Sequence, residues 1–493
     1  MSSLQIPNQA DDWAWIGRQA ELGDGEHLFT REQLMAEVHA LALKLRSAGT
    51  RVLATLLDNG PAWVIADLAA QDLVHVPLPL FFSAAQRQHA LQHCGADSLI
   101  LPASLADAMG GLPREPLTLA GQALCLLRLP GRAPLMPEGT AKITFTSGTT
   151  GAPKGVCLTN AAMHGVATSL VQALEPLDLQ RHLCALPLAV LLENIAGVLA
   201  PLRRGATVLL PPLSQLGLSG SSGFDVQRFD QCVRQFAPHS LILLPQMLRA
   251  WVAWLARSGQ QAPPCLRLVA VGGAAVGQAL LSRARALNIP AYEGYGLSEG
   301  SSVQTLNLPW ADCPGSAGRA LPHAQIRIAG DGEIELRGSL FSGYVGESTA
   351  VPAWWPSGDL GELDAQGFLH IRGRKKHVLI TSFGRNVSPE WVETALRSQD
   401  AIAQAVVFGE AMPRLCAVLW PSHAAVDAVA LEAAVAAANA TLPDYARIGR
   451  WCMAQGVFGP ESGLATANGR PIRAQIWHAH RELLGDLSDA FSS

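Results

Sequence analysis

Residues 144–155 read Thr-Phe-Thr-Ser-Gly-Thr-Thr-Gly-Ala-Pro-Lys-Gly and follow the start of an apolar-leaning run, Ala141–Phe145. Five hydroxyls (Thr144, Thr146, Ser147, Thr149 and Thr150), three glycines and one lysine share these positions. Glycines let a backbone approach an anion closely, and consecutive N–H groups in such a turn form an anion-binding concavity. Hydroxyls donate to phosphate oxygens, and Lys154 adds a mobile point charge. A polyphosphate is the natural ligand. The bland alternative is a Ser/Thr/Gly surface loop, but such loops seldom end in Pro-Lys-Gly after a strand. The ordinary P-loop pattern is absent, because Pro153 stands at its second glycine and Gly155 follows the lysine.

Lysine usage sharpens this reading. The chain has five lysines (Lys44, Lys142, Lys154, Lys375 and Lys376) among 36 basic residues. A sequence drifting this far towards arginine, and still placing lysine at 154, points to a need for an ammonium there. Lys375 and Lys376 gain weight by the same argument.

The loop resembles the phosphate loop of the adenylate-forming (AMP-binding) superfamily, and of its members the chain is most similar to long-chain fatty acyl-CoA synthetases. Other segments match in the family's order. Asp58–Trp63 through Val76-Pro77-Leu78 resembles its N-terminal helix and strand. Val271-Gly272-Gly273-Ala274 resembles the adenine-contacting turn, Gly294–Glu299 the Tyr-Gly-x-Thr-Glu strand end, and Ser357-Gly358-Asp359 the Thr-Gly-Asp motif. Gly373-Arg374-Lys375-Lys376, then Gly384 to Glu393, resembles the hinge and opening of a C-terminal lid. The resemblance spans roughly residues 30–480, and its strength lies in several ordered motifs rather than in any one.

Composition agrees. For 493 residues, a prior of about 150 residues per domain gives roughly three units. Apolar content of 49% with 15% charge allows a large core and disfavours disorder. A net charge of −4 without a basic block gives no support for nucleic-acid binding. Nine cysteines without a CxxC pair read as reduced thiols of a cytoplasmic protein. The N-terminus lacks the charged-then-apolar order of a signal peptide. The most apolar stretch, Leu183–Leu202, is broken by Glu193 and Asn194, so no transmembrane segment is expected.

Helical and strand patterns alternate along the chain. Glu32–Ser47 carries Leu34, Val38, Leu41 and Leu45 at helical spacing and stops before Gly49. Arg51–Leu57, Ala206–Leu210, Ser240–Leu244 and Leu266–Val271 read as strands, and Pro61 opens a helix. The pattern implies an α/β fold with layered α/β subdomains and largely parallel sheets. From about Ala324, short strands with turns at Gly330-Asp331-Gly332 and Asp364–Gly367 suggest a small β-barrel-like subdomain. We divide the chain into an ATP- and acyl-binding domain, residues 1–373, and a mobile α+β lid, residues 374–493. Ser214–Gly223 reads as a surface loop.

The resemblance implies a reaction and its residues. A carboxylate attacks the α-phosphate of ATP, and the acyl-adenylate then passes its acyl group to a thiol, either CoA or a carrier protein's phosphopantetheine. Two anions must meet, so the site has to supply positive charge and alignment. Thr146, Ser147, Gly148, Thr149, Thr150, Gly151 and Lys154 would cradle the phosphates. Glu299 would ligate Mg²⁺, and Ser298 would hold the α-phosphate where the family has threonine. Asp359 would accept the ribose hydroxyls beside Arg374; alone, Ser-Gly-Asp is an ordinary turn. Gly272, Gly273 and Ala274 would pass close to adenine, with Tyr295 stacking on it and Gly296 beside it. Lys376 would be the hinge, and Ser382, Phe383 and Gly384 would face the thiol tunnel.

At the substrate end, Leu186-Pro187-Leu188-Ala189 followed by Glu193 resembles Leu-Pro-Leu-Ala-His-x-x-Glu of long-chain acyl-CoA synthetases, with Val190 replacing histidine. Val190, Leu191 and Glu193 are the candidate acyl-pocket residues. No aspartate lies between Leu183 and Leu202 to pair with an amino-acid ammonium, so a medium- or long-chain fatty acid is expected. The alternative, that these residues form a core helix, stands beside it. His89, His93 and Cys94 form no metal face without a third ligand. Gly-x-Ser-x-Gly is absent, so a serine hydrolase has no case.

One departure matters. The family's C-terminal Thr-x-x-Gly-Lys reads Thr466-Ala467-Asn468-Gly469-Arg470 here. A planar guanidinium does not substitute freely for an ammonium, and losing one such contact could cost about 3 kcal/mol of transition-state stabilisation. Three readings stay open: an active ligase using CoA, an acyl-adenylate ligase that loads a carrier protein, and a thioesterification-only or binding protein. A homodimer is compatible with all three.

Overall fold

A computed structural model describes residues 13–484 except 108–109, 133, 147–153, 221–222, 383–384 and 467–468. Two large sheets dominate the N-terminal part. The first runs, edge to edge, Arg319–Ala320, Ser302–Leu306, Ala291–Leu297, Leu268–Val271, Ser240–Leu243, Arg181–Leu183, Thr207–Leu209, Glu21–Gly23 and Leu28–Thr30. Its strands from Ala291–Leu297 to Glu21–Gly23 are mutually parallel, and antiparallel strands close both edges. In the second sheet, Thr140–Thr146, Val74–Pro77, Val52–Thr55 and Ser98–Pro102 form the parallel centre.

Between the sheets lie the helices Pro61–Ala69 and Asn160–Ala173 and the helical segment Glu193–Arg204. Their Trp63, Ile65, Val166, Ile195 and Val198 share one core with Leu53 and Val156 of one sheet and Val208 and Val303 of the other. Parallel strands and a helix buried on every face explain the continuous apolar runs in the sequence. The helix Arg31–Ser47 buries the four predicted residues Leu34, Val38, Leu41 and Leu45, and Thr30 with Gln33 caps its start reciprocally.

A buried ionic network ties these layers together. Asp67 accepts from Lys142 Nζ (2.7 Å), His75 Nδ1 (2.6 Å) and Asn194 Nδ2 (2.9 Å), while His75 Nε2 meets Thr55 Oγ1 at 2.9 Å. Burial alone would raise the Asp67 carboxyl, but Lys142 and His75 hold it well below the usual range. Each charge is paired and hydrogen-bonded, as burial demands. Lys142 lies on the strand Thr140–Thr146 that leads into the phosphate loop, so the network fixes that strand.

The segment expected to line the acyl pocket forms an unusual helix. Glu193–Leu199 is a π-helix, in which the Ala200 N–H donates to the Ile195 carbonyl, and it continues as Ala200–Arg204. Pro201 lacks an N–H and cannot bond the carbonyl four residues back, Gly197. The Cys184 thiol donates to that oxygen instead, at 3.3 Å.

Ala324–Ile328, Glu333–Gly338, Trp355–Leu363 and Leu369–Arg374 make a four-stranded antiparallel sheet. Beyond it, Ile402–Phe408, Leu415–Pro421 and Ile448–Met453 form a small sheet with helices Pro389–Arg397, Ala428–Ala440 and Arg473–His480. The expected Ser214–Gly223 loop contains a short strand, Leu218–Ser219, paired with Gly223–Phe224. No helix of the described residues is long and apolar enough to cross a membrane.

Candidate active site

Thr146 and Lys154 are register partners at the open end of a hairpin, so the loop between them leaves and returns at one point. Ser147, Gly148, Thr149, Thr150 and Gly151 lie outside the described residues. Lys154 Nζ is 3.5 Å from Glu347 Oε1 and sits over the Tyr344 ring, 4.8 Å from its centroid. Tyr344 in turn donates its hydroxyl to Glu299 Oε1 at 2.8 Å. Burial and the Glu299 charge push the Tyr344 phenol up, so it stays a donor. A chain of contacts thus runs from the loop lysine to the expected metal carboxylate.

Ser298 and Glu299 occupy a 3₁₀ turn at the end of the strand Ala291–Leu297, pinned by the Phe341 N–H to the Glu299 carbonyl at 2.8 Å. Ser301 and Ser302 follow with φ of 55° and 101°. Non-glycine residues held at positive φ cost of order 1–3 kcal/mol each, and such strain clusters at functional sites.

On the next parallel strand, Gly272-Gly273-Ala274 leaves the sheet at its carboxyl edge, where ligands of open α/β sheets bind. Gly273 has φ of 85° and needs glycine for that reason. Gly296 allows close strand approach, since a Cβ there would stand 2.0 Å from the Ser302 carbonyl oxygen.

Asp359 and Arg374 are paired across their hairpin. Arg374 Nε lies 2.7 Å from Asp359 Oδ1, and Tyr295 donates its hydroxyl to Asp359 Oδ2 at 2.7 Å. Burial raises the Asp359 carboxyl overall, although Arg374, Tyr295 and Arg470 oppose it. Tyr295, expected to stack on adenine, therefore also orients the carboxylate expected to bind the ribose.

Arg470 reaches this group from the C-terminal part. The bridge Ala465–Pro471 and the bond from Thr466 N to Arg470 O (2.8 Å) close its turn, with Gly469 at φ of 74°. The surrounding groove lowers its pKa by burial, and Arg374 adds repulsion, while Asp359 and Glu299 favour its charge. Its side chain nonetheless keeps access to solvent. Lys376 is exposed. Its neighbour Lys375 carries the ion pairs, to Asp331 at 2.6 Å and Glu333 at 2.7 Å. Ser382 is exposed, and Phe383 and Gly384 lie outside the described residues.

An apolar cavity of about 70 Å³ opens between the first sheet and the helices packed on it. Leu192, Ala196 and Ala200 line it from the π-helical segment, with Leu170, Val303 and Leu306 opposite. The structure does not bring Val190, Leu191 or Glu193 to this wall. Leu191 is in the core, and Glu193 is fully buried, accepting from Leu186 N at 3.2 Å beside His182 Nε2 at 3.3 Å. Leu192, just before the π-helical segment, and Ala196 within it face the cavity instead, which no short motif announces. Tyr344 and Glu347 were also not legible. Asn59, within the Asp58–Trp63 stretch, clamps the Leu186–Leu188 segment through Leu186 O (2.8 Å) and Leu188 N (2.9 Å). Tyrosine scarcity was the available signal, because two of only four in the chain stand in this site.

Comparison with known proteins adds to this geometry. Residues 5–347 match the AMP-binding enzyme family and residues 376–490 its C-terminal domain. A 2-succinylbenzoate–CoA ligase of Listeria innocua is 28% identical over 80% of this chain and 85% of its own. A long-chain-fatty-acid–CoA ligase of Mycobacterium bovis is 29% identical over 78% and 75%. In fold, the chain is similar to the o-succinylbenzoate CoA synthetase of Bacillus subtilis in complex with its acyl-adenylate intermediate, with a TM-score of 0.75 and 24% identity over 96% and 98% of the two chains. With ordered motifs, a shared crevice and family matches over most of its length, the chain belongs to the AMP-binding enzyme family of adenylate-forming ligases.

Proposed function

We propose that this chain is an ATP-dependent acid–CoA ligase acting through an acyl-adenylate, with a monocarboxylic, apolar acid of medium or long chain as substrate. The observation that carries the acid class is the cavity wall, which is largely aliphatic along the helices and the first sheet. Burying an apolar chain there gains about 25 cal/mol per Å². A second carboxylate would need a cation. The wall's one arginine, Arg204, already donates to the carbonyls of Leu174 (2.9 Å), Glu175 (3.3 Å) and Leu177.

In this reading Thr146, Lys154 and the loop between them bind the phosphates, and Asp359 with Tyr295 and Arg374 binds the ribose. Glu299 would hold Mg²⁺, which supplies charge neutralisation between phosphates and the incoming carboxylate. Ser298 and Arg470 bracket the α-phosphate, and Arg470 provides the lid's positive charge during adenylation. Residues 374–493 then turn about Lys376 and admit the thiol past Ser382–Gly384. Delivery to a carrier protein is the second reading, since both acceptors end in the same phosphopantetheine arm.

The test is pyrophosphate release against fatty acids of graded length, aryl acids, 2-succinylbenzoate and amino acids, each with and without CoA. Fatty acids should lead, and Lys154→Ala and Glu299→Gln should each lose at least about tenfold. An amino acid or a dicarboxylate as best substrate would overturn the acid assignment, and pyrophosphate release untouched by either substitution would overturn the site.

A further inference from the structure

We propose that Cys313, Asp364 and His370 form a zinc-class metal site that clamps the loop after Ser302–Leu306 onto the hairpin carrying Asp359 and Arg374. The thiol sulfur, a carboxylate oxygen and a ring nitrogen of these residues lie within 4.8 Å of one another. They come from two segments, Cys313 from the loop after Ser302–Leu306 and Asp364 with His370 from one hairpin, so the fold brings the thiol to the other two.

Bonds outside the trio hold the Cys313 backbone and the Asp364 carboxylate in place. The Cys313 N–H donates to Asn307 Oδ1 at 2.9 Å, and its carbonyl accepts from Ser316 N at 2.9 Å. Asp364 divides its carboxylate: Oδ1 accepts from Gln366 N and Phe368 N, both at 2.9 Å, which aims Oδ2 at His370 Nε2, 3.1 Å away. Backbone bonds stitch the two segments together, from Ala317 N to Leu369 O (2.7 Å) and from Leu369 N to Gly318 O (2.9 Å). Oriented ligands with satisfied outer bonds are what a metal site needs.

The mixed donor set selects the ion. Thiolate, imidazole and carboxylate suit a borderline cation such as Zn²⁺, whereas Mg²⁺ takes oxygen ligands. His370 and Asp364 are 33% and 26% exposed, which gives the ion an entry path and leaves room for water as a fourth ligand. Binding releases the Cys313 proton to solvent and exchanges the His370–Asp364 hydrogen bond for two metal–ligand bonds. The buried trio His182, Cys184 and Glu193 carries no such case. Its atoms are already engaged with Ser240 Oγ, Gly197 O and Leu186 N, inside the core. The Cys313 clamp shares no residue with the nucleotide site, but it steadies the hairpin that presents Asp359.

The experiment titrates the metal-free, full-length protein with Co²⁺, then displaces it with Zn²⁺ in competition with a chromophoric chelator. One equivalent should give a thiolate-to-cobalt charge-transfer band, which no carboxylate site such as Glu299 can produce. Cys313→Ser should abolish the band, and His370→Ala should weaken binding by at least about tenfold. The chain has nine cysteines, so a band that survives Cys313→Ser overturns the proposal. So does the absence of a band in the natural protein, or unchanged affinity in His370→Ala. Should a variant misfold, alkylation of the natural chain decides: Zn²⁺ should protect Cys313 but not half-buried Cys125, and equal rates at Cys313 with and without Zn²⁺ refute the site.

Discussion

Arg470 is the residue on which the family pattern and this chain part. It remains cationic, since the surrounding groove cannot bring a guanidinium near neutral pH. Asp359 and Glu299 both favour its charge, so it can serve as the positive group that adenylation needs. Arg470→Ala should slow acyl-adenylate formation by roughly tenfold to a thousandfold. Thiol transfer from a synthetic acyl-adenylate should be nearly unchanged. Arg470→Lys should equal or exceed the parent in adenylation. If the parent makes no adenylate while Arg470→Lys does, the natural protein is a thioesterification-only member. A second residue makes a pH prediction. Glu293, beside the Gly272–Ala274 turn, accepts one bond from Val276 N (3.0 Å), and burial raises its carboxyl from 4.5 to about 7. A raised carboxyl means that the folded state binds the proton more tightly. Its stability is therefore fully present below about pH 4.5 and lost as pH rises through about 7. Glu293→Gln keeps the acceptor and removes the charge. Urea unfolding should show it stabilised most above pH 7, by up to about 3 kcal/mol, and least below pH 5. A gain independent of pH would mean that the buried charge is not the cause.

At the scale of elements, the sequence was readable wherever a local pattern decides the structure. The helix Arg31–Ser47 appeared in the spacing of Leu34, Val38, Leu41 and Leu45 because burial of one face follows a period of 3.6 residues. The strand Thr140–Thr146 before the Gly/Ser/Thr loop was legible as a short apolar-leaning run, whereas its pairing with Lys154–Thr159 was not. The Glu193–Leu199 element was not. Its π-helical turn depends on Pro201 removing a bond, on Cys184 taking the freed carbonyl, and on Gly197. A Cβ on Gly197 would stand 2.3 Å from Glu193 Oε1. Those partners are brought together only by the tertiary fold, which is why the sequence does not show that Leu192 and Ala196 face the cavity. Tyr344 escaped notice for the same reason: it meets Glu299 from a strand 45 residues away. Sequence reading finds the ligand-facing glycines and charges, while the side chains that orient them from other strands carry no local mark.

For the whole molecule, the open question is how the C-terminal part rests on the sheets. Arg470 is beside Asp359 and Glu299, which is the arrangement expected for adenylation. Two polar contacts join it to the helices of the first sheet. Arg283 pairs with Asp400, and Arg249 donates to the Arg397 carbonyl from a site where burial lowers its pKa to about 10. The first pair is exposed, 45% and 79%, so it contributes about 0.2–1 kcal/mol and is screened by salt. The second is a charged donor on a carbonyl, and losing it costs about 1.5–3 kcal/mol. Both contacts join the C-terminal part to the N-terminal part in this arrangement, so, if the proposed lid turns about Lys376, removing them should shift it away from this position. Asp400→Ala should slow adenylation by no more than about fivefold, and less at high salt. Arg249→Ala should slow it by roughly tenfold to a hundredfold. Thiol transfer from a supplied acyl-adenylate should hold its rate or rise in both, because the proposed mechanism assigns that step to a rotated lid. Pre-steady-state measurement of each half-reaction, with melting temperatures as the control for folding, separates the cases. An equal loss in both half-reactions at unchanged stability would mean that the two steps share one lid position, and the rotation about Lys376 would have to be abandoned.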